Sequence, residues 1–237
     1  MKLEGLTLFF PCLNEEANIE VVLRDALRVA PEVAERFEII IIDDGSTDRT
    51  AEIVERVAAK EPVVRLVRHP TRQGYGGALK SGFKAARQPW VFYSDGDRQF
   101  DLTELPKLVA LTPRADVVTG YRRQRADPWY RLLNARLYGA ALHALLGLDI
   151  RDVNGAFKLY RREIFDRIVL KTSGALINAE IFAKVQRLGY PIATVAVTHR
   201  ARTAGRPTGA QGKVIGKAML ELWMLWWDLR KTNHATV

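Results

Sequence analysis

A short apolar run leads directly into two aspartates in the stretch Trp90-Val91-Phe92-Tyr93-Ser94-Asp95-Gly96-Asp97-Arg98-Gln99. The aromatic and β-branched residues predict a buried strand that gives way to a loop at Asp95. Ligand sites of open α/β sheets lie at such strand ends. Side chains two residues apart share a face in extended chain, and carboxylate oxygens suit hard cations. Asp95 and Asp97 therefore predict a site for Mg²⁺ or Mn²⁺ and a diphosphate, although a lone Asp-x-Asp is also common in solvated turns.

Two earlier strand ends are acidic as well, which favours a site over a chance turn. The predicted strand 6–10 ends in Pro11-Cys12-Leu13-Asn14-Glu15-Glu16. The predicted strand 38–42 ends in Asp43-Asp44-Gly45-Ser46-Thr47-Asp48. Three successive strand ends thus present carboxylates and turn residues.

The order of the predicted elements indicates an α/β fold with a mostly parallel sheet flanked by helices. Predicted strands lie at 6–10, 38–42, 63–68, 90–93, 115–119 and 192–199. Predicted helices lie at 17–29, 50–60, 76–87, 105–111, 128–146, 162–168 and 178–188.

Composition limits the classes of partner and compartment. The 237 residues are 48% hydrophobic and carry a formal charge of +9, which allows one sizeable core and favours anionic partners. A nucleotide sugar, an acidic membrane surface and a nucleic acid are all anionic. Outside the segment 199–209 no basic stripe with stacking aromatics is visible, so we expect no nucleic-acid partner.

The cellular location follows from what the sequence lacks. One cysteine, Cys12, excludes an internal disulfide and fits a reducing compartment. Glu4 and Pro11 leave an N-terminal apolar stretch too short for a signal peptide. No apolar run approaches the roughly 20 residues that span a bilayer. We expect a cytoplasmic protein, at most peripheral on the cytoplasmic face of a membrane.

Four motifs in sequence order resemble the family 2 glycosyltransferases, which have the GT-A (Rossmann-like) nucleotide-diphospho-sugar transferase fold. They are Pro11-x-x-Asn14-Glu15, Asp43-Asp44-Gly45-Ser46-x-Asp48, Gly74-x-Gly76-x-Ala78-x-x-x-Gly82 and Asp95-x-Asp97-x-Gln99. Within that family the chain is most similar to the dolichyl- or polyprenyl-phosphate sugar synthases, over residues 6–205. The resemblance implies inverting transfer of a hexose, mannose or glucose, from a GDP- or UDP-sugar to a polyprenyl or dolichyl phosphate, with Mg²⁺ or Mn²⁺. A sugar or protein hydroxyl is the alternative acceptor.

The resemblance also implies roles for individual residues. The expected nucleoside pocket consists of Pro11, Leu13, Glu15, Asp43 and Asp44. Carboxylates there would accept hydrogen bonds from the base and the ribose, although capping of the next helix is an alternative role for the two aspartates. The expected metal ligands, which hold the donor diphosphate in the loop around Gly96, are Asp95, Asp97 and Gln99. For Gly74, Gly76 and Gly77 we predict a tight turn in preference to a phosphate loop.

Arginines are the expected phosphate ligands. Arg122 matches the arginine that contacts the donor phosphates in the synthases, and Arg131 matches another basic position. Arg202 and Arg206 lie in the segment 199–209, which is rich in glycine and proline and predicts a mobile loop. Guanidinium groups bind phosphate through two hydrogen bonds, so these two side chains are predicted to clamp a diphosphate or the acceptor phosphate.

A general base is not required for every acceptor. A polyprenyl phosphate is already an anion, whereas a hydroxyl must lose a proton before it attacks. Asp152 matches an acidic position of the synthases and is expected to orient acceptor or donor, so the expected catalytic residues are Asp97, Arg122 and Asp152. Some relatives carry an acid where Ala156 stands, and Glu180 is an alternative acid for which a surface position is favoured.

The end of the chain predicts a helix over 213–230 with three tryptophans, Trp223, Trp226 and Trp227. Such a helix suits a membrane interface, but it would also pack on the catalytic domain or on a partner subunit. We therefore divide the chain into a catalytic domain, 1–210, and a Trp-rich amphipathic extension, 211–237.

Overall fold

The computed structural model describes residues 1–123, 129–174, 176–200, 221–227 and 229–230, and for 129–136 it describes the backbone alone. The strands are β1 (Leu3–Cys12), β2 (Ala34–Asp43), β3 (Val64–Arg68), β4 (Trp90–Ser94), β5 (Val117–Arg122), β6 (Phe157–Arg161) and β7 (Ile192–Val197). The helices are α1 (Ile19–Val33), α2 (Thr50–Ala58), α3 (Tyr75–Ala85), α4 (Leu105–Val109), α5 (Trp129–Leu146), α6 (Ile164–Arg167) and α7 (Ile177–Arg187). A 3-10 turn, Leu102–Glu104, precedes α4.

In the described ranges the strands form one sheet of seven in the order β3-β2-β1-β4-β6-β5-β7. β6 runs antiparallel to both of its neighbours, β4 and β5, and the other pairs are parallel. The chain moves outward from β1 through β2 to β3 and then returns to the other side of β1 as β4. This reversal lies between β1 and β4, so the loops after these two strands form a crevice at the carboxyl edge of the sheet.

Helices cover both faces of the sheet, and aromatic rings fill one of the two layers. Phe9 of β1 stacks on Tyr93 of β4 at 5.4 Å between ring centroids. Phe83 of α3 meets both rings edge-on and also contacts Tyr160 of β6. Phe182 of α7 lies against Tyr160 from the same side. α1, which contacts α2 and α4, covers the other face.

The predicted α/β architecture with a mostly parallel sheet is confirmed, and the differences concern individual elements. β1 and β2 are each ten residues long, so the first two strands begin earlier than predicted. The strand predicted over 192–199 ends at Val197. β6 was not predicted at all, because its sequence, Phe157-Lys158-Leu159-Tyr160-Arg161, places a lysine inside an apolar run.

The C-terminal helix, which the structure describes over 221–227 and 229–230, is amphipathic. Leu222, Leu225 and Leu229 are buried in the core, whereas Trp223 is 57% and Trp227 48% exposed. The buried face agrees with packing on the catalytic domain. The domain boundary predicted after residue 210 lies outside the described residues. In the part of the chain that the structure describes, we find no helix with the length and hydropathy needed to cross a bilayer.

Candidate active site

The loops after β1 and β4 meet at the crevice in the sheet. Leu6 to Phe9 of β1 pair in parallel with Trp90 to Tyr93 of β4, so both strands deliver their loops to the same edge. A side chain at Gly96 would bring its Cβ within 2.5 Å of the Cys12 Sγ atom. The loop 95–99 therefore passes directly over the end of β1.

Four carboxylates from three loops lie close enough to the Cys12 thiol to affect its pKa. Burial raises the pKa of this thiol well above its ordinary value, and the negative charges of Glu15, Asp43, Asp95 and Asp97 raise it further. The structure thus brings together acidic residues that are up to 82 positions apart in the sequence. An edge with this much negative charge can bind a cation.

Asp43 offers a buried acceptor at the end of β2. Its Oδ1 atom accepts a hydrogen bond of 3.0 Å from the Ser46 backbone N–H. Its Oδ2 atom accepts none from the described residues, although the Arg68 Nε atom lies 3.3 Å away as an ion pair. A buried acceptor that lacks a donor costs free energy, and a ligand N–H or hydroxyl would satisfy it.

Asp44 has a different environment, although it is the next residue. Its Oδ1 atom accepts a hydrogen bond of 2.7 Å from the Gln73 N–H, and its Oδ2 atom accepts one of 2.8 Å from the Gly74 N–H. His69 Nδ1 lies 2.8 Å from the same Oδ1, and His69 Nε2 lies 2.8 Å from the Ser81 hydroxyl. Both oxygens of Asp44 therefore hold the turn before α3, in which Gly74 has a φ of 82°, whereas Gly76 and Gly77, predicted for the same turn, lie inside α3. The predicted contact of Asp44 with the nucleoside stays a prediction.

The loops after β1 and β2 are joined by reciprocal hydrogen bonds between backbone and side chains. The Asn14 N–H donates to the Ser46 hydroxyl at 2.8 Å, and the Thr47 N–H donates to the Asn14 Oδ1 atom at 2.8 Å. The Glu15 N–H donates to the Thr50 hydroxyl at 2.9 Å. These bonds fix the loop that also carries the predicted nucleoside ligands, of which Glu15 is buried and Pro11 and Leu13 are half-buried.

The loop after β4 is joined to the segment after β7. Asp97 is 5% exposed, and its Oδ1 atom accepts a hydrogen bond of 3.1 Å from the Gln99 N–H. The Gln99 carbonyl accepts a bond of 2.7 Å from the Arg200 N–H, and the Gln99 side-chain amide donates to the Arg200 carbonyl at 3.1 Å. Arg200 also pairs with Asp101. The predicted metal ligands thus lie beside the start of the predicted mobile loop.

Arg122 and Asp152 form a bidentate ion pair, although the sequence analysis gave them separate partners. Arg122 Nε and Nη2 donate to the two Asp152 oxygens at 2.7 and 2.5 Å, and the Arg122 backbone N–H donates at 3.1 Å. Asp152 has a left-handed backbone, with φ of 55°. The two side chains are 16% and 8% exposed. The pair joins the end of β5 to the turn before β6.

Glu180 is buried, so the expected surface position is wrong. The backbone N–H groups of Lys171 and Thr172 donate to its carboxylate, both at 2.8 Å, and Lys184 pairs with it at 2.5 Å. Burial alone would raise the pKa of this carboxyl, but the hydrogen bonds from Lys184, Thr172 and Lys171 outweigh burial and lower it. Glu180 thus holds the segment before α7 in place. This segment contacts α3, where the Ser173 carbonyl accepts a hydrogen bond of 3.0 Å from the Gly76 N–H.

Three predicted phosphate ligands lack described side chains. Arg202 and Arg206 lie outside the described residues, and Arg131 belongs to the part of α5 whose backbone alone is described. The structure also buries polar side chains that were not predicted as site residues: Lys158, Asn178 and Tyr93 contact one another, and His69 contacts Asp44. The aromatic run at 90–93 gave no sign that the Tyr93 hydroxyl donates to Asn178 of a distant helix.

Comparisons with known proteins agree with this geometry. The family model described as glycosyl transferase family 2 matches residues 7–169. Glycosyltransferase AglD of Haloferax volcanii is 31% identical over 202 residues, which are 81% of this chain and 32% of that protein. The undecaprenyl-phosphate 4-deoxy-4-formamido-L-arabinose transferase of Aeromonas hydrophila is 30% identical over 167 residues, 69% of this chain and 51% of that protein. The chain thus spans from a third to a half of the length of these relatives.

Solved structures show the same architecture. The glucosyl-3-phosphoglycerate synthase of Mycobacterium tuberculosis in complex with phosphoglyceric acid has a TM-score of 0.71 and 26% identity, and covers 92% of this chain and 79% of its own. The same enzyme with Mn²⁺, UDP-glucose and phosphoglyceric acid has a TM-score of 0.74 and 24% identity. This match covers 94% of this chain and 80% of the enzyme's. The fold is therefore GT-A, as predicted. With the family model matched over most of its core, the chain belongs to glycosyl transferase family 2 and carries a glycosyltransferase domain.

Proposed function

We propose that the protein transfers a hexose, with inversion, from a GDP- or UDP-sugar to a polyprenyl or dolichyl phosphate with the help of Mg²⁺ or Mn²⁺. The observation that carries the choice of acceptor is that the two candidate bases, Asp152 and Glu180, are each paired with a cation. A paired carboxylate is a weak base. A phosphate acceptor needs no base, because it is already an anion, whereas a hydroxyl acceptor does.

The donor nucleoside would occupy the edge formed by the loops after β1 and β2. The buried Oδ2 atom of Asp43 supports this role, since it accepts no hydrogen bond from the described residues and a nucleoside N–H would supply one. Pro11 at the end of β1 and Leu13 and Glu15 in the loop after it lie beside this edge, and hydrogen bonds from that loop to Ser46 and Thr50 hold it in place. Asp44 would contribute indirectly, through the turn that it holds.

A divalent metal fits the carboxylate cluster if the substrate completes its coordination. No group of three or more His, Cys, Asp or Glu side chains among the described residues is placed to bind a metal alone. Mg²⁺ is commonly held by one or two carboxylates together with substrate phosphates. Asp95 and Asp97, with Gln99, would hold the ion. When bound, the ion would neutralise the charge that develops on the leaving diphosphate.

Homologue names and basic side chains both support a phosphate acceptor. The relative from Aeromonas hydrophila is an undecaprenyl-phosphate sugar transferase by name. Arg122 would contact phosphate oxygens of the donor beside Asp152, which would orient the acceptor or donor. Arg131, Arg202 and Arg206 are proposed as additional phosphate ligands, because guanidinium groups bind phosphate well.

An acceptor of this kind resides in a membrane, and the C-terminal helix is suited to meet one. Trp223, Met224 and Trp227 are exposed on the face opposite its buried leucines, and Arg230 lies 3.9 Å above the Trp226 ring. Tryptophan and arginine together favour the interface of an anionic bilayer. We propose that the enzyme works at the cytoplasmic face of a membrane, with this helix against the headgroups.

The experiment is transfer of radiolabelled sugar into lipid. Purified protein is incubated with polyprenyl phosphate, Mg²⁺ or Mn²⁺ and each of a panel of GDP- and UDP-sugars, and label is counted in the organic extract. We expect one donor to label the lipid. Asp97→Ala is expected to lower the rate by about 10²-fold or more, because the variant loses a proposed ligand of the metal ion that would hold the donor diphosphate.

Asp166→Ala is the matched control, since Asp166 is exposed and pairs with Arg162 away from the site. It should keep the wild-type rate. Donor turnover without label in the lipid would contradict the polyprenyl phosphate acceptor and favour a sugar or protein hydroxyl instead. In that case Asp152→Asn should abolish turnover, because a hydroxyl acceptor requires a base.

A further inference from the structure

Lys158 is a fully buried lysine in the middle of the sheet, on β6. Its Nζ atom donates to the Gly155 carbonyl and, at 3.2 Å, to the Tyr93 hydroxyl, and it lies 3.4 Å from the Asn178 side-chain oxygen. The rings of Tyr93 and Phe182 lie on either side, with centroids 5.4 and 5.6 Å away. The ammonium group is thus enclosed by groups from β4, β6 and α7.

No carboxylate among the described residues forms a salt bridge with Lys158. Burial lowers the pKa of its ammonium group to about 7, and the more distant charges of Asp152 and Asp95 offset this effect only in part, while Arg122 adds to it. Burying an unpaired ammonium group is costly, and an apolar side chain of similar size would avoid the cost. Stability alone therefore does not account for a lysine here.

The contacts of Lys158 lead to the ion pair described above. The Gly155 carbonyl that Lys158 binds belongs to the turn 152–155, which is closed by a hydrogen bond of 2.9 Å from the Gly155 N–H to the Asp152 carbonyl. Asp152 sits in this turn with a left-handed backbone and binds Arg122 through both oxygens. A displacement of the turn would therefore move both charged side chains.

We propose that Lys158 is a positioning residue for sugar transfer, whose buried ammonium group holds the turn 152–155 and thereby keeps Asp152 and Arg122 in place. The inference rests on the proposed function, because it takes Asp152 and Arg122 as parts of the active site. Lys158 itself need not touch either substrate.

The first test compares Lys158→Met with Lys84→Met. Methionine keeps the length of the side chain and removes the charge, and Lys84 is an exposed lysine on α3. Lys158→Met is expected to lower kcat by about 10- to 100-fold, as small displacements of catalytic groups do, with the donor KM within about threefold of wild type. The melting temperature should change little, because removal of a costly buried charge offsets the loss of the donor to the Gly155 carbonyl. Lys84→Met should match the wild type throughout.

Hydrogen exchange provides a second readout that needs no substrate. In Lys158→Met we expect faster exchange of the amides in 152–156 than in the wild type, while amides of β1 and β2 are unchanged. Lys158→Arg, which keeps a charge and donors, should lose less kcat and less protection than the methionine variant. If Lys158→Met does not fold, the test uses Lys158→Arg alone. In that variant any fall in kcat must be accompanied by faster exchange of the amides in 152–156. A fall in kcat without faster exchange overturns the proposal.

Two further results would overturn the proposal: folded Lys158→Met with the kcat of the wild type, and folded Lys158→Met with unchanged exchange of the amides in 152–156. So would an activity loss that merely matches the fraction of protein that is unfolded. Failure of the proposed function has a different signature. If the wild type hydrolyses the donor but does not label polyprenyl phosphate, the acceptor is wrong, and the role of Lys158 is tested on donor hydrolysis and on exchange.

Discussion

Two segments of equal length differ sharply in charge. Residues 13–52, which include the loops after β1 and β2, contain eleven aspartates and glutamates and four lysines and arginines. Residues 181–220, which include most of α7 and all of β7, contain seven lysines and arginines and no acidic residue. The acidic side chains of the first segment are suited to bind a metal ion and the hydrogen-bond donors of a nucleoside. The basic side chains of the second are suited to bind phosphates and anionic lipid.

Two ends of the candidate site also differ in how their polar groups are held. At the proposed donor end, formed by the loops after β1 and β2, short hydrogen bonds join neighbouring loops, as between Asn14 and Thr47 or between Asp44 and Gly74. At the other end, formed by the end of β5 and the turn before β6, buried charges hold the turns, as in the Arg122–Asp152 pair and in Lys158. Hydrogen-bonded loops tolerate loss of one partner better than a buried ion pair does, because an unpaired buried charge costs more than an unpaired amide.

This contrast is tested most strongly by Arg122→Met. The variant removes the guanidinium that binds both oxygens of the buried Asp152 carboxylate, and we expect the free energy of unfolding to fall by about 3 to 5 kcal/mol. Removing both charges, in Arg122→Met with Asp152→Asn, should cost less than Arg122→Met alone, since asparagine tolerates the left-handed backbone at position 152. Urea unfolding at pH 7 measures all three proteins.

Arg36→Met is the control for this experiment, because Arg36 and Glu4 form an ion pair whose side chains are 65% and 71% exposed. An exposed pair contributes little, so the change should stay below about 1 kcal/mol. Equal losses in Arg36→Met and Arg122→Met would mean that burial of the Arg122–Asp152 pair does not matter, and the contrast between the two ends would fail.

The meeting of the loops after β1, β2 and β4 at one edge could be predicted from the sequence because its signals are local. Each apolar run that ends in acidic residues specifies both a strand and the loop after it, and parallel strands bring such loops to one edge. Asp43, Asp95 and Asp97 are predicted in this way, and the structure places them close enough to Cys12 for their charges to raise its pKa, while their roles stay predictions. The different hydrogen-bond environments of Asp43 and Asp44 were not predictable, since they depend on the turn at residues 69–74.

The buried charges could not be predicted, because their partners are distant in sequence. A lone lysine or glutamate is usually exposed, so the rule assigned Glu180 to the surface. Its partners include Lys171 and Thr172 from a loop before the helix. Lys158 interrupted the apolar pattern of β6, and its partners Tyr93 and Asn178 come from β4 and α7. Only the assembled fold brings these partners close enough to satisfy a buried lysine or glutamate.

A smaller effect is expected from Glu180→Gln, which weakens the hydrogen bonds that hold the segment before α7. At pH 7 we expect the free energy of unfolding to fall by about 1.5 to 3 kcal/mol, as for other hydrogen bonds to a charged group. The pKa of Glu180 is lowered in the folded protein, so its stabilising contribution is present above the ordinary carboxyl pKa of about 4.3 and is lost as the pH falls.

Unfolding by urea between pH 7 and pH 3 tests this dependence. The difference in stability between wild type and Glu180→Gln should shrink as the pH falls below about 4.3. The same substitution at Glu163, an exposed residue before α6, should leave the pH dependence unchanged. A difference that stays constant with pH would show that the carboxylate charge is not what holds the segment.

The smallest expected effect concerns the exposed face of the C-terminal helix, and it sharpens the contrast in charge. The double variant Trp223→Ser with Trp227→Ser removes two rings that stack on each other at 5.9 Å on the surface. We expect roughly tenfold weaker binding to vesicles of phosphatidylcholine with phosphatidylglycerol, because about 1 to 2 kcal/mol of apolar burial in the interface is lost. The free energy of unfolding should change by less than about 0.5 kcal/mol, since both rings are exposed.

Val169→Ser is the matched control, because Val169 is 74% exposed and lies outside the C-terminal helix. It should bind the vesicles as the wild type does. Wild-type binding should also weaken when phosphatidylglycerol is omitted or salt is raised, since the basic segment 181–220 and Arg230 would then lose their electrostatic attraction. If the double variant keeps its affinity, the tryptophans do not face lipid, and the excess of basic residues at this end serves the phosphates of the two substrates alone.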